Sequence, residues 1–286
     1  MKVDFHCHIF QDTVTPESLK HFFHAFKGYG FYERYLERIK SIDTIVDDNI
    51  IKRVLFHIKR AKLDKVVLLP ASSSENKTVQ DWVDFAPDVF IPFYNPPEKP
   101  SETQTIEDII HQAFIDMKFK GFKILLSFRQ KFLNDKIIIP VLEFARDHEL
   151  IVLFHTGWPP PGTRKPVLTY SNPLYADEII NSFPKVKFII AHMGFPFSDI
   201  AIALATQFPN VYLDISNLPD MAPLRLKQLL LQAKDIIGTQ KILFGSDGFI
   251  PESIEATVKY FESVDYLTEK EIKNIMGLNA KNILNL

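Results

Sequence analysis

Eight short runs of apolar, β-branched or aromatic residues recur along the 286-residue chain, at 2–8, 64–69, 88–93, 121–126, 150–155, 186–192, 210–215 and 241–246. Several are almost continuously hydrophobic, the pattern of strands buried on both faces. Between most of them the apolar spacing changes to a helical period. Ile106 to Met117 puts Ile109, Ile110, Ala113, Phe114 and Met117 on one stripe, and Ile139 to Asp147 is a second such segment. Pro173 to Ser182 is a third, with Asn172 placed to cap it ahead of a proline at the first helical position. Strand–helix alternation repeated this often implies a parallel sheet. Eight strands at this length predict a closed α/β barrel, the (β/α)8 TIM barrel, over an open sheet.

Two segments exceed a minimal barrel. Residues 9–63 are too long for one loop and helix, and they hold His21, Phe22, Phe23, His24, Phe26, Tyr29, Phe31, Tyr32 and Tyr35, too aromatic for a disordered linker. The expectation is a helical, aromatic-rich insertion after strand one that caps the barrel. Thr156 to Tyr170, with Pro159, Pro160 and Pro161, reads as a stiff rim loop. No repeat or linker divides the chain, so residues 1–286 are expected to form one domain.

Composition narrows the partners. A formal net charge of −2 leaves no electrostatic footprint for nucleic acid or an anionic membrane. One cysteine permits no intramolecular disulfide. No apolar run approaches the roughly 20 residues of a membrane helix, and no leader pattern is visible, so a cytoplasmic protein is expected.

The chemistry concentrates at strand ends, where barrels of this kind build their sites. Strand one ends in His6-Cys7-His8, strand four carries Lys123, strand five ends at His155, strand six at His192, and Asp247 follows strand eight. Alternation along strand one places Asp4, His6 and His8 on one face, and Phe5, Cys7 and Ile9 on the other. A lone His-x-His motif arises by chance, but four of nine histidines and a carboxylate at converging strand ends do not scatter so at random. Neutral imidazole and carboxylate are ligands of divalent ions in catalytic sites. A His-rich set favours Zn²⁺, while Mn²⁺, Fe²⁺ or Co²⁺ would fit similar ligands.

Eight stretches, in order, carry a family resemblance. They are Asp4-Phe5-His6-Cys7-His8, Gly121-Phe122-Lys123, Phe154-His155-Thr156-Gly157, Tyr170-Ser171-Asn172-Pro173, Ile190-Ala191-His192-Met193-Gly194, Asn210-Val211-Tyr212-Leu213-Asp214, Gly245-Ser246-Asp247 and Gly277-Leu278-Asn279-Ala280-Lys281. The set resembles the amidohydrolase superfamily, in its amidohydrolase-related (amidohydrolase 2) branch of metal-dependent TIM-barrel hydrolases and decarboxylases. The resemblance implies that His6, His8, His155 and Asp247 hold a divalent metal. His192 would be a general base, a polarising group or a ligand of a second ion. In binuclear relatives a lysine on strand four is carboxylated and bridges two metals, which makes Lys123 ambiguous. One ion is expected over two. Such families often form homodimers, and nothing in the residues shows an interface.

The other polar residues have plainer readings. His57, His111 and His148 sit in helical segments as surface or partly buried side chains. Asp214 ends strand seven as a structural acceptor, and Asp4 supports the histidines from below. Cys7 is a small buried apolar residue between strand and helix. Lys123 could equally be a buried lysine paired with Asp247.

Trp158, Phe195 and Phe249 directly follow strand-end candidates and suggest an apolar pocket for a flat organic molecule. Arg164 and Lys165, or Arg129, would bind a substrate carboxylate or phosphate, or stand as solvated rim charges. The sequence therefore predicts a metal-dependent hydrolase of a small molecule with an amide, lactone or ester-like bond, Asp247 and His192 being catalytic. The rivals are a non-oxidative decarboxylase of an aromatic or unsaturated acid, and a silent scaffold, which would have lost ligand positions that are all present here.

Overall fold

A computed structural model of the chain describes residues 1–8, 24–159, 167–248 and 250–286. The eight apolar runs each contain a strand: β1 Val3–His8, β2 Lys65–Leu69, β3 Phe90–Tyr94, β4 Gly121–Ile124, β5 Ile151–Phe154, β6 Lys187–Ile190, β7 Val211–Asp214 and β8 Ile242–Leu243. They pair in parallel, in sequence order. The ring closes through single bonds between its ends: Phe5 N–H donates to the Phe244 carbonyl at 2.9 Å and Asp247 N–H to the His6 carbonyl at 2.7 Å. β8 is shorter than its apolar run because Phe244 N–H turns away to the Ile275 carbonyl.

Alternation sorts the apolar side chains into two layers. Val67, Leu69, Ile91, Phe93, Ile151, Leu153, Ile189 and Leu243 fill the barrel interior, joined by Ala280, Ile283 and Leu284 of the last helix. Their even-numbered neighbours, such as Val66, Leu68, Phe122, Val152, Phe154 and Phe188, face the helices. The helices at Ile106–Met117 and Ile139–Asp147 have the bounds their periodicity predicts. Thr105 caps the first of these with a reciprocal capping box, its hydroxyl accepting from Asp108 N–H. Asn172 does cap the segment after β5, accepting from Leu174 N–H at 3.0 Å. That segment is a 3-10 turn at Pro173–Ala176 before the helix Asp177–Ser182, not one continuous helix.

β1 departs from simple alternation, and the departure shapes the site. Val3 and Phe5 both join the interior cluster while Cys7 joins the outer one. His6 also reaches the interior side, so Phe5 and His6 are consecutive inward residues. The cause is a register shift between Asp4 and Cys7 in the β1–β2 ladder, a bulge that re-aims the side chains beyond it. Asp4 thereby leaves the histidine face: its Oδ1 accepts from His6 N–H at 3.1 Å and Ser246 N–H at 2.9 Å. Gly245 makes room for the bulge, since a Cβ there would lie 2.5 Å from the His6 Cβ. Cys7 is buried among apolar side chains, as its sequence context suggested.

Within the long segment after β1, the described part holds a 3-10 turn at His24–Phe26 and helices at Gly30–Lys40 and Ile50–Arg60. Arg38 ties the first helix to the chain following β7, donating to the Pro219 carbonyl and to Asp220 Oδ1, both at 2.7 Å. Its guanidinium also lies 3.9 Å over the Tyr260 ring.

The second helix carries a correction. His57 is not a surface histidine: it is buried against Glu255 of the helix Pro251–Glu262, Nδ1 to Oε2 3.0 Å. Arg60 and Lys259 complete the cluster at 2.9 and 2.7 Å. Burial alone would raise the Glu255 carboxyl, but the bonds from Arg60, Lys259 and His57 outweigh it and bring the pKa down to about 2. A depressed carboxyl stabilises the fold above its ordinary value near 4.5 and loses that contribution as pH falls toward 2. The melting temperatures of wild type and Glu255→Gln are therefore expected to lie far apart at pH 6 and to converge by pH 2–3. A gap independent of pH would refute this account. His111 and His148 are exposed, as expected.

Candidate metal and active site

The strand ends converge as the sequence proposed, and the bonding there is one-sided in a useful way. His6 is fully buried, with Nδ1 facing Asp214 Oδ2 at 2.8 Å and the Ser216 hydroxyl at 3.0 Å. A carboxylate can only accept, so Nδ1 carries the proton and Nε2 presents a lone pair. Burial, with the charge of Lys123 beside it, holds the His6 pKa down to about 3, which keeps the ring neutral and fit to ligate.

His192 repeats the arrangement. Its Nδ1 donates to the Ser216 carbonyl at 3.0 Å, freeing Nε2 on the far side of the ring. Its backbone departs from β6 into the left-handed region (φ 55°), and Met193 follows at φ 47°. Asp214 Oδ1 receives His192 N–H at 3.0 Å and holds that turn. This is why β6 ends two residues before its apolar run does. Asp214 accepts from His6, from His192 and from Ser216 N–H, and also bonds the Ser216 hydroxyl. Burial acting alone would raise its pKa; the His6 and His192 rings and these bonds hold it well below the usual carboxylate range.

Asp247 also has φ 55°, a conformation that aspartate tolerates better than most residues. Its Oδ1 lies 3.3 Å from His6 Nε2 and 3.2 Å from His8 Nε2, yet makes no hydrogen bond among the described residues. Burial would raise this carboxyl too, but the surrounding imidazoles keep it ionised. His8 Nδ1 faces the Leu69 carbonyl at 3.1 Å, which turns Nε2 inward. His155 is buried beside His192, ring centroids 5.2 Å apart, with Nε2 unpartnered.

One donor atom each from His6, His192 and Asp247 lie within 4.8 Å of one another. Lys123 Nζ stands 3.0 Å from His6 Nε2, so its neighbour is the histidine and not Asp247. Burial brings the Lys123 pKa down to about 8.

The donor set passes the chemical test for a divalent ion. It offers neutral imidazole nitrogens and a carboxylate oxygen, and two buried polar atoms, His155 Nε2 and Asp247 Oδ1, have no partner among the described residues. The tight trio includes His192, for which the sequence predicts a catalytic or second-ion role, with His8 and His155 at its edge.

Beside His192 lies a shallow pocket, open to solvent, lined by Trp158, Phe195, Asn217, Leu218 and Met221. Trp158 and Phe195 meet edge to face, centroids 5.2 Å apart, and Trp158 N–H donates to the Phe195 carbonyl. Gly157 allows this approach, since a Cβ there would lie 2.1 Å from that carbonyl oxygen. Arg164 and Phe249, the other two residues proposed for substrate contact, lie outside the described residues. Arg129 is engaged elsewhere, bonding Asn95 Oδ1 and the Pro96 carbonyl and pairing with Glu98 at 3.4 Å. Sequence reasoning missed Ser216 and Asn217 altogether.

An eight-stranded parallel barrel with imidazoles and a carboxylate gathered at its strand ends has the build of a metal-dependent barrel enzyme. The chain belongs to the amidohydrolase family, whose family model, Amidohydro_2, matches residues 3–286. A curated relative, protein fluG of Emericella nidulans, is 28% identical over 133 residues, which are 42% of this chain and only 15% of that protein.

Solved structures that share the fold include three that bear on the chemistry. One, from Lactobacillus casei, is described as a metal-dependent hydrolase (TM-score 0.76, 17% identity, covering 99% of this chain and 95% of that one). The second is 2,6-dihydroxybenzoate decarboxylase with 2,6-dihydroxybenzoate bound (0.68, 14%, 100% and 99%). The third is 5-carboxyvanillate decarboxylase from Novosphingobium aromaticivorans, holding manganese and 3-methoxy-4-hydroxy-5-nitrobenzoic acid (0.65, 13%, 100% and 97%). None of the helices among the described residues is long and apolar enough to cross a membrane.

Proposed function

We propose that this chain is a metal-dependent hydrolase of a small organic molecule, cleaving an amide, lactone or ester-like bond. The observation that carries the reading is Asp247 Oδ1: a buried, ionised carboxylate oxygen, without a hydrogen bond among the described residues, aimed at the imidazole cluster. His6, His8, His155 and Asp247 would hold the ion, with His192 close enough to share it or to act on the substrate. A divalent ion there would supply Lewis acidity and bring the pKa of water toward ~7. One ion suffices for this reading; Lys123, uncarboxylated, lies 3.0 Å from His6 Nε2 and would give up that contact once the nitrogen ligates the ion. Zn²⁺ or Mn²⁺ would suit the donors.

Asp247 is placed to take the proton of the attacking water and return it to the leaving group. His192, fixed by the Ser216 carbonyl, presents Nε2 toward the charge that develops on the substrate oxygen. The cavity bounded by Trp158 and Phe195 would take the flat apolar body of the substrate.

Decarboxylation is the second reading. The decarboxylases of the same fold favour it, together with the aromatic wall. There the ion would orient the substrate carboxylate, and a nearby cation would favour an acid substrate; Arg129 is committed to Asn95, Pro96 and Glu98, and Arg164 lies outside the described residues. Product analysis separates the two. Incubation of the metal-loaded chain with panels of aryl lactones, anilides and hydroxybenzoates in ¹⁸O-water is expected to give label in a carboxylate product. Carbon dioxide release from a hydroxybenzoate without label uptake would replace hydrolysis by the lyase reading.

A further inference from the structure

Asn217 holds φ 65° and ψ −34°, backbone angles that are costly for any residue with a side chain. The Ser216 carbonyl accepts from Leu218 N–H at 2.8 Å, closing a three-residue γ-turn around Asn217 in the rarer, strained hand. That same carbonyl receives His192 Nδ1–H, so the turn and the orientation of His192 depend on one oxygen. Asn217 also caps the short helix that follows, its carbonyl receiving the N–H groups of Asp220 and Met221 at 3.1 and 2.9 Å.

The carbonyl of Asn217 is thus used twice, while its side chain is not: among the described residues none hydrogen-bonds the amide. Glycine would make the same turn without strain. What asparagine adds is an amide, and it lines the cavity whose other walls beside His192 are Trp158, Phe195, Leu218 and Met221. Asn217 is half-buried, so a ligand covering this wall would take the amide out of water and must offer it a partner. The cations nearest this wall, Arg34 and Arg38, are taken up by the carbonyls of Pro219, Asp220 and Met221 and by the Asp220 carboxylate, which favours a neutral partner over a carboxylate.

We propose that Asn217 is a substrate-contacting residue, its side-chain amide recognising a neutral carbonyl or hydroxyl group carried on an aromatic or otherwise flat substrate next to His192. This inference rests on the cavity beside His192 being the substrate site.

The test is calorimetric titration of the purified, metal-loaded full chain with two probes: benzamide, which carries a neutral carbonyl, and ethylbenzene, which does not. Wild type is expected to bind benzamide roughly 10- to 100-fold more tightly than Asn217→Gly, the cost of an unmade hydrogen bond in such a site. Ethylbenzene should bind both alike, and Asn217→Gly should melt no lower than wild type because it relieves the turn. Asn217→Asp, which keeps the shape and removes the donor, is expected to weaken benzamide as well, and it serves if the glycine variant fails to fold. Equal benzamide affinity in wild type and variants would overturn the proposal. So would a parallel loss for ethylbenzene, which would mark a structural effect, or no benzamide binding by wild type. Turnover in the labelling experiment would still stand in those cases, so the reaction and this contact fail separately.

Discussion

Asp247→Asn is expected to lower turnover of the substrate found by product analysis by roughly 10²- to 10⁴-fold, the range for losing a positioned proton acceptor. Asparagine keeps the side-chain volume and tolerates φ 55°, so the barrel should survive the exchange. What it loses is the charge that Oδ1 presents to His6 and His8 at 3.3 and 3.2 Å. The loss should appear mainly in kcat, with a weaker hold on Mn²⁺ or Zn²⁺ in metal analysis and a melting temperature within a few degrees of wild type. Full activity with unchanged metal content would remove Asp247 from the chemistry, and the hydrolase reading with it.

Asp214→Asn is expected to reach nearly as far without touching substrate. The aspartate is an acceptor at every contact: His6 Nδ1–H, His192 N–H, and the N–H and hydroxyl of Ser216. An asparagine can keep its oxygen toward His192 and Ser216 only by turning its NH₂ group on His6 Nδ1. The His6 proton then moves to Nε2, which ceases to be a donor to an ion. Changes in such supporting partners typically weaken metal binding by roughly 10- to 100-fold. Competition with a chelator should measure that loss, together with a lowered melting point from mismatched buried groups. Wild-type metal affinity in Asp214→Asn would show that the Asp214–His6 bond does not set the tautomer.

Much of the barrel is written in local pattern. Continuous apolar runs mark β2 to β6, and the stripe from Ile106 to Met117 has the same bounds in sequence and structure, because buried faces leave a period behind. The strand-end histidines were legible for the same reason, each closing an apolar run. What escaped depends on partners distant along the chain. The bulge in β1 exists because Gly245 lets the His6 Cβ approach, and strict alternation therefore misassigned Asp4 and Phe5. His57 looked like a surface residue because its carboxylate, Glu255, lies 198 positions away. Ser216 and Asn217 are small polar residues after a strand, with no spacing to mark them; only the left-handed turn at His192 and the γ-turn beside it give them meaning. Asp214 read correctly as an acceptor, but its place under two histidines required the fold.

The seam between β8 and β1 is where the ring of strands is thinnest. It is fastened by Phe5 to Phe244 and by Asp247 to His6, along with Ser246 to Asp4. Two of the residues in that fastening, His6 and Asp247, are also the ones whose side chains face each other across the donor cluster. Any ligand held between them works as a clasp on the two ends of the chain's circuit. Occupancy and closure are then one linked equilibrium, in which a hundredfold excess of ligand over its Kd adds about 2.7 kcal/mol to the apparent stability of the folded ring.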